Sequence, residues 1–179
     1  WEKIGPVPYK PAGNDPKPDN GDSWSAIQPT LLPHSDGSLQ ILCRTRNRQI
    51  AESWSFDRGK TWSTLKGTEL PNNNSGLDAV ALKDGRFLLV YNHVKPPEGQ
   101  EKGARTPLNV AVSRDGKKWY ASLILEDSPI SQYSYPSVIQ SSDGMVHIVY
   151  TWRRQRIKYV QIDPSQLVMK PIRKECWPG

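Results

Sequence analysis

Apolar residues in this chain come in short runs, and turn-forming residues break them at regular intervals. Three segments share one pattern: His34-Ser35-Asp36-Gly37-Ser38-Leu39-Gln40-Ile41-Leu42, Leu82-Lys83-Asp84-Gly85-Arg86-Phe87-Leu88-Leu89-Val90 and Ser141-Ser142-Asp143-Gly144-Met145-Val146-His147-Ile148-Val149. Asp-Gly between apolar runs predicts a hairpin, because Gly supplies the positive φ and Asp bonds the backbone of the turn. A further strand follows the first two hairpins, Ile50 to Trp54 and Leu108 to Val112. Each ends in a second turn: Ser55-Phe56-Asp57-Arg58-Gly59-Lys60-Thr61-Trp62 and the one-residue-shorter Ser113-Arg114-Asp115-Gly116-Lys117-Lys118-Trp119. In both, the Trp is expected to pack back under the turn.

Trp62 and Trp119 lie 57 residues apart, and Trp1 reads as the last residue of a third copy, 61 residues before Trp62. The repeating unit is three or four antiparallel strands, a period that suits a β-propeller blade. Helical periodicity is nearly absent. The expected fold is all-β, about three blades over residues 1–62, 63–119 and 120–179. Tyr9 to Gly21 and Lys95 to Ala104 read as polar loops. Three blades do not close a ring, so the remainder is expected from a further segment or another chain.

Strand direction places residues at the two ends of each blade. With the Asp-Gly turn at the bottom, Gln28, Gly76 and Tyr135 lie eight residues before the Asp, and Arg44, Asn92 and Thr151 eight after. Antiparallel pairing puts both sets at the top. The next strand also starts there, near Asn47 in the first repeat and Arg105 in the second. Gln28, Arg44, Asn92, Arg105, Tyr135 and Thr151 should therefore ring one surface, with Asp78 and His93 nearby. Each also has a structural reading: Arg44 as a strand-end charge, Arg105 as a closure of the 95–104 loop, Tyr135 as a core aromatic before Pro136, Gln28 as an amide satisfying a strand end. His147, between apolar neighbours, reads as core or outer strand, and His34 as loop.

Charge sharpens this picture. The net charge is +6, so an acidic partner fits, whether nucleic acid, anionic lipid or acidic glycan. The 7 Trp and 7 Tyr, spread along the chain, argue against disorder despite a mean hydropathy of −0.67. The aromatics belong to turns and strands, with no stacking platform for nucleic acid. The densest basic cluster, Arg153-Arg154-Gln155-Arg156, reads as a solvated strand end. No apolar stretch approaches a membrane span, and no signal peptide is visible. Cys43 and Cys176 match no metal or redox spacing; Cys43 reads as a buried thiol, and its pairing with Cys176 is left open. No cofactor is expected.

The Ser-x-Asp-x-Gly-x-Thr-Trp turn resembles the Asp-box of sialidases (neuraminidases). Ile27-Gln28-Pro29-Thr30, Arg105-Thr106-Pro107-Leu108, Tyr133-Ser134-Tyr135-Pro136 and Val146 to Trp152 resemble a bacterial branch of sialidase-like repeat proteins. The resemblance runs from Trp1 to Leu167. It implies a propeller that is six-bladed when complete, with an Arg clamp for the sialic acid carboxylate, a Tyr nucleophile with a Glu partner, and an Asp acid/base. Tyr is a recognised exception to the two-carboxylate scheme of glycosidases. Arg44 matches the second clamp Arg, Arg105 the third, and Tyr135 the nucleophile, with Tyr133 as the alternative. The assisting Glu falls at Gln28, which takes no proton, and another family Glu falls at Thr151. The first clamp Arg and the acid/base Asp are expected ahead of Trp1.

The resemblance implies a secreted, periplasmic or cell-surface setting. Three functions follow: an exo-acting sialidase-type hydrolase; a propeller enzyme for a uronate or other sugar, with His93, Asp78 or Tyr135 moving the proton; or a non-catalytic glycan-binding propeller. Asn92, Asp78 and His93 join Arg44 and Arg105 as candidate substrate contacts in all three.

Overall fold

The structure is a computed structural model that describes residues 1–8, 25–173 and 175–178; the expected loop Tyr9 to Gly21 lies outside them. Among the described residues, twelve strands form three antiparallel sheets. The first sheet is β1 (Ile27–Pro33), β2 (Leu39–Arg44), β3 (Gln49–Ser55) and β4 (Lys66–Pro71), in that order. The second is β5 (Asp78–Ala81), β6 (Phe87–Tyr91), β7 (Leu108–Ser113) and β8 (Trp119–Glu126), extended by β12 (Lys170–Pro171). The third is β9 (Tyr133–Gln140), β10 (Val146–Trp152) and β11 (Arg156–Ile162). A 3₁₀ turn at Pro164–Gln166 is the one helical element among the described residues.

Each hairpin forms where Asp-Gly stands. Gly37, Gly85 and Gly144 have φ of 83°, 85° and 90°, and Asp36, Asp84 and Asp143 accept from the backbone N–H two residues on. In the second turn type, Asp57 and Asp115 collect local N–H and hydroxyl donors, and Trp62 and Trp119 donate Nε1–H to Gly59 and Gly116 carbonyls at 3.1 Å. That turn sits inside a sheet, between its third and fourth strands, so the division made at each Trp runs one strand ahead of the sheets. The C-terminal β12 returns to β8 of the second sheet instead of joining the third.

The first strands stack beside one another: β5 lies against both β1 and β9. This is a propeller arrangement, with β1, β5 and β9 innermost. The middle sheet is covered on both faces, so β6 and β7 are buried at every position. Leu32, Leu42 and Ile50 meet Leu89 and Tyr91 on one side; Leu88, Val90 and Val110 meet Val138, Ile148 and Tyr150 on the other. The third sheet is covered on one face. Val146, Ile148 and Tyr150 are buried, while Ile139, Val149, Ile157 and Tyr159 on the opposite face are exposed. Cys43 and Cys176 are both free thiols, and burial pushes Cys43 up to about 11.

Asp78 joins the three innermost strands. Its Oδ1 accepts from Thr30 Oγ1 of β1 at 2.8 Å and from Ala79 N at 3.0 Å; its Oδ2 accepts from Val138 N of β9 at 2.8 Å. Asp78→Ala is expected to lower unfolding free energy by about 2–4 kcal/mol, since two inter-sheet bonds to a charged acceptor vanish and the Val138 N–H is orphaned. Asp78→Asn, which keeps one acceptor, should cost less. Denaturant unfolding checks this; a loss within about 0.5 kcal/mol of zero, as for an ordinary surface site, would contradict it.

Candidate functional site

At the top of the arc, two innermost strands carry an extra residue. In β1 the partners step from Ile27↔Arg44 to Pro29↔Cys43, which leaves Gln28 unpaired. In β9 they step from Ser137↔Val149 to Ser134↔Thr151, across Tyr135. Both bulged residues are left-handed, Gln28 at φ 51° and Tyr135 at φ 54°. A non-glycine residue held there costs backbone strain of about 1–3 kcal/mol, and bulges re-aim side chains. The residue at the same place in the middle repeat is Gly76. A Cβ added there would lie 3.1 Å from Tyr135 Cδ1 and 3.6 Å from Gln28 Oε1. Absence of a side chain at Gly76 is what lets Gln28 and Tyr135 approach each other across it.

Arg44 ends β2. Its Nη1 donates to Gln28 Oε1 and its Nε to Asn74 Oδ1, both at 2.8 Å. Asn74 is buried and left-handed at φ 60°, and its N–H donates to Asn72 Oδ1. Asn72 also accepts from Thr45 N and donates to the Ser75 carbonyl, so the connection from β4 to β5 is a buried polar scaffold for Arg44. Arg105 comes from the 92–107 connection. Its guanidinium carbon stands 5.1 Å from the Tyr135 ring centroid, and Nη1 reaches Ser134 Oγ at 3.5 Å.

Both arginines act on one phenol. Arg105, through hydrogen bonding and then through its charge, holds the Tyr135 pKa below the usual tyrosine range, and Arg44 adds to this. Tyr135 is 45% exposed as a residue, on the open face of the sheet arc. The arrangement presents two fixed cations and a hydroxyl of raised acidity on an open face. Such a set can grip a carboxylate and place an oxygen nucleophile beside it.

Three expected contacts have their side chains engaged by other parts of the chain. Asn92 is 1% exposed, and its amide donates to the Pro107 and Tyr133 carbonyls, bracing two connections beneath the surface. His93 is buried between the Tyr91 hydroxyl and the Glu175 carbonyl, with Trp177 against its ring; burial pushes its pKa down. Asp78 lies below Gly76 with both oxygens occupied. These residues stand at the expected end of their strands, but Asn92 is turned inward, His93 meets the C-terminal tail, and the half-buried Asp78 bonds the two neighbouring innermost strands. Thr151 is half-buried on β10, opposite Ser134. The sequence reading missed Asn74 and the spacer role of Gly76. The run Asn72-Asn73-Asn74-Ser75-Gly76 carried a signal, as five turn-formers directly before an innermost strand.

The sequence matches the BNR repeat-like domain family over residues 1–148. Among curated proteins, none matches it. Solved structures share its fold. The intramolecular trans-sialidase of Ruminococcus gnavus, in complex with oseltamivir carboxylate, superposes with a TM-score of 0.63 at 22% identity, covering 89% of this chain and 37% of its own. The leech intramolecular trans-sialidase, complexed with 2,7-anhydro-Neu5Ac, gives 0.58 at 22% identity over 82% and 24%. The NanB sialidase of Streptococcus pneumoniae gives 0.58 at 18% identity over the same shares. The chain thus spans between 24% and 37% of the length of these three proteins.

A neighbouring cation favours the phenolate, so Tyr135 should lose its proton at a lower pH than a free tyrosine, about 10. A difference titration of phenolate absorbance, wild type against Tyr135→Phe, should place its midpoint below that value. Arg105→Ala should move the midpoint up, and Arg44→Ala should move it up by less. A midpoint unmoved by Arg105→Ala would contradict the described contact.

Proposed function

The chain belongs to the BNR repeat-like family, and on that premise we propose that it forms part of a sialidase-like glycoside hydrolase acting on terminal acidic sugars. The carrying observation is the convergence of Arg44 and Arg105 on the exposed Tyr135 phenol. In this reading the two guanidinium groups hold the sugar carboxylate. The Tyr135 oxygen attacks the anomeric carbon, where a neutral or weakly basic nucleophile avoids the repulsion a carboxylate would meet beside the substrate's own. As the bond to Tyr135 forms, the phenol passes its proton to solvent water, the glycosidic C–O bond breaks, and the departing oxygen takes a proton from water. Water then releases the sugar and restores the phenol. The oseltamivir carboxylate and 2,7-anhydro-Neu5Ac complexes of the trans-sialidases accord with an acidic sugar.

One observation favours a second reading, a propeller that binds acidic glycans without cleaving them, or an enzyme for a uronate. The Gln28 amide accepts from Arg44 and takes no proton, so Tyr135 lacks a base there. Proton transfer by His93 is disfavoured by its burial, and Asp78 already accepts three hydrogen bonds from its own chain. The exposed apolar face of β9–β11 fits a further sheet of a six-bladed ring, from a longer chain or another one. Among the described residues no helix is long and apolar enough to cross a membrane; an extracellular or periplasmic glycan is the setting this function needs.

Arg105→Ala is expected to weaken binding of an acidic sugar about ten- to a hundred-fold, the worth of one charge-assisted contact. Tyr135→Phe separates the readings. A hydrolase of this type loses turnover while binding persists; a binding module releases no sugar in either form and keeps its binding. Sialoside release that survives Tyr135→Phe would remove Tyr135 from the nucleophile role.

A further inference from the structure

The hairpin between β10 and β11 turns through Trp152–Gln155, with Gln155 N–H donating to the Trp152 carbonyl at 3.0 Å. Both central residues are left-handed, Arg153 at φ 52° and Arg154 at φ 54°. This is the type I′ pattern, which Asn-Gly fills with little strain and which two arginines fill only against their backbone preference. Backbone preference gives no reason for arginine at either place.

The side chains are arranged, not splayed. The Arg153 guanidinium carbon lies 4.4 Å from the Trp152 ring centroid. Its Nε and Nη2 reach Tyr133 Oη and Ser128 Oγ at 3.4 Å each, long contacts that leave much of a five-donor fork unused. Arg156 pairs across from Trp152 and is exposed, and the two line an open cleft of about 240 Å³ with Ile157 and Lys158. Lys158 is neutralised by Glu126. Among the described residues, no ion pair involves Arg153, Arg154 or Arg156. The turn is also joined to the candidate site. Arg153 N–H donates to the Gln132 carbonyl, and the next residue, Tyr133, donates its N–H to the Arg105 carbonyl at 2.9 Å. Tyr135 lies two residues further along β9.

We propose that Trp152, Arg153, Arg154 and Arg156 form a second subsite, which takes an anionic group, carboxylate or sulfate, on the sugar unit next to the one held at Tyr135. This rests on the reading of the Tyr135 face as an acidic-sugar site. An open cleft lined by Trp152 and Arg156 suits a sugar ring with a charged substituent: the ring enters beside Trp152 and the anion meets the guanidinium forks. The substrate class is then an acidic oligosaccharide with charge on two adjacent units.

The test uses three probes by calorimetry: a methyl sialoside, an α2,8-linked disialoside, and a sialylated trisaccharide sulfated on the next sugar. Wild type should bind one or both of the doubly charged probes at least ten-fold tighter than the methyl sialoside. Preference for one of them identifies the anion as carboxylate or sulfate. The variant Arg153→Asn/Arg154→Gly, which installs the relaxed turn, should lose that advantage, keep the methyl sialoside affinity, and melt no lower than wild type. Equal binding of all three probes by wild type, or a variant that weakens the methyl sialoside equally, overturns the subsite while leaving the Tyr135 reading standing. If the methyl sialoside does not bind at all, the Tyr135 reading falls; the subsite then survives only if the sulfated probe binds and the variant abolishes it. Binding of single-stranded RNA that the variant abolishes, with no sugar competing, also overturns it.

Discussion

Asp78 stands two residues below Gly76, at the start of the innermost strand of the middle sheet, and its two oxygens are shared with both neighbouring sheets. Thr30, its partner on β1, stands two residues below Gln28; Val138, its partner on β9, stands three below Tyr135. The carboxylate therefore fixes how far the three strands slide along one another, and with that the relative height of Gln28, Gly76 and Tyr135. Apolar packing between sheets is non-directional and holds them together without setting this register. Charge-assisted bonds of 2.8 Å do set it. The lower end is tied as well, by Gln40 Nε2 to the Gly116 carbonyl, Lys83 N–H to Gln140 Oε1, and Lys83 Nζ to the carbonyls of Ser141 and Ser142.

Above that pin, the chemistry depends on strain and charge held in place. Two left-handed bulges bring Gln28 and Tyr135 towards one point, and the missing side chain of Gly76 leaves them room. Arg44 is fixed from below by Asn74, so its charge does not swing away into solvent. Arg105 stands over the exposed ring. A pair of cations pre-positioned in this way pays little ordering cost when an anion arrives, which is how fixed dipoles and charges gain affinity over flexible ones. The same cations acidify the phenol; in the proposed hydrolase this offsets part of what is lost by carrying Gln28 where a carboxylate could serve as base.

The parts legible in the sequence were those fixed by local chemistry. The three Asp-Gly hairpins and the two Asp–Gly–Trp turns depend on residues a few positions apart, and β3 and β7 fall within a residue of where the apolar runs put them. Antiparallel pairing then carried Gln28, Arg44, Arg105 and Tyr135 to one end. Facing was not legible. Asn92, His93 and Asp78 are at that end too, but what they face is decided by Tyr133, Glu175, Thr30 and Val138, far away in sequence. The bulges left no mark either, because Gln and Tyr, unlike Gly, do not announce a positive φ. Arg153 and Arg154 read as solvated charge for the same reason.

The central claim is that the carboxylate of an acidic sugar is what Arg44 and Arg105 recognise. Titration calorimetry of this protein with a methyl sialoside and with the methyl ester of the same sugar tests it directly, because the two ligands differ in one charge. The account predicts measurable binding of the acid, with affinity falling as salt is raised, and at least a ten-fold loss for the ester. Equal affinity for acid and ester would contradict it.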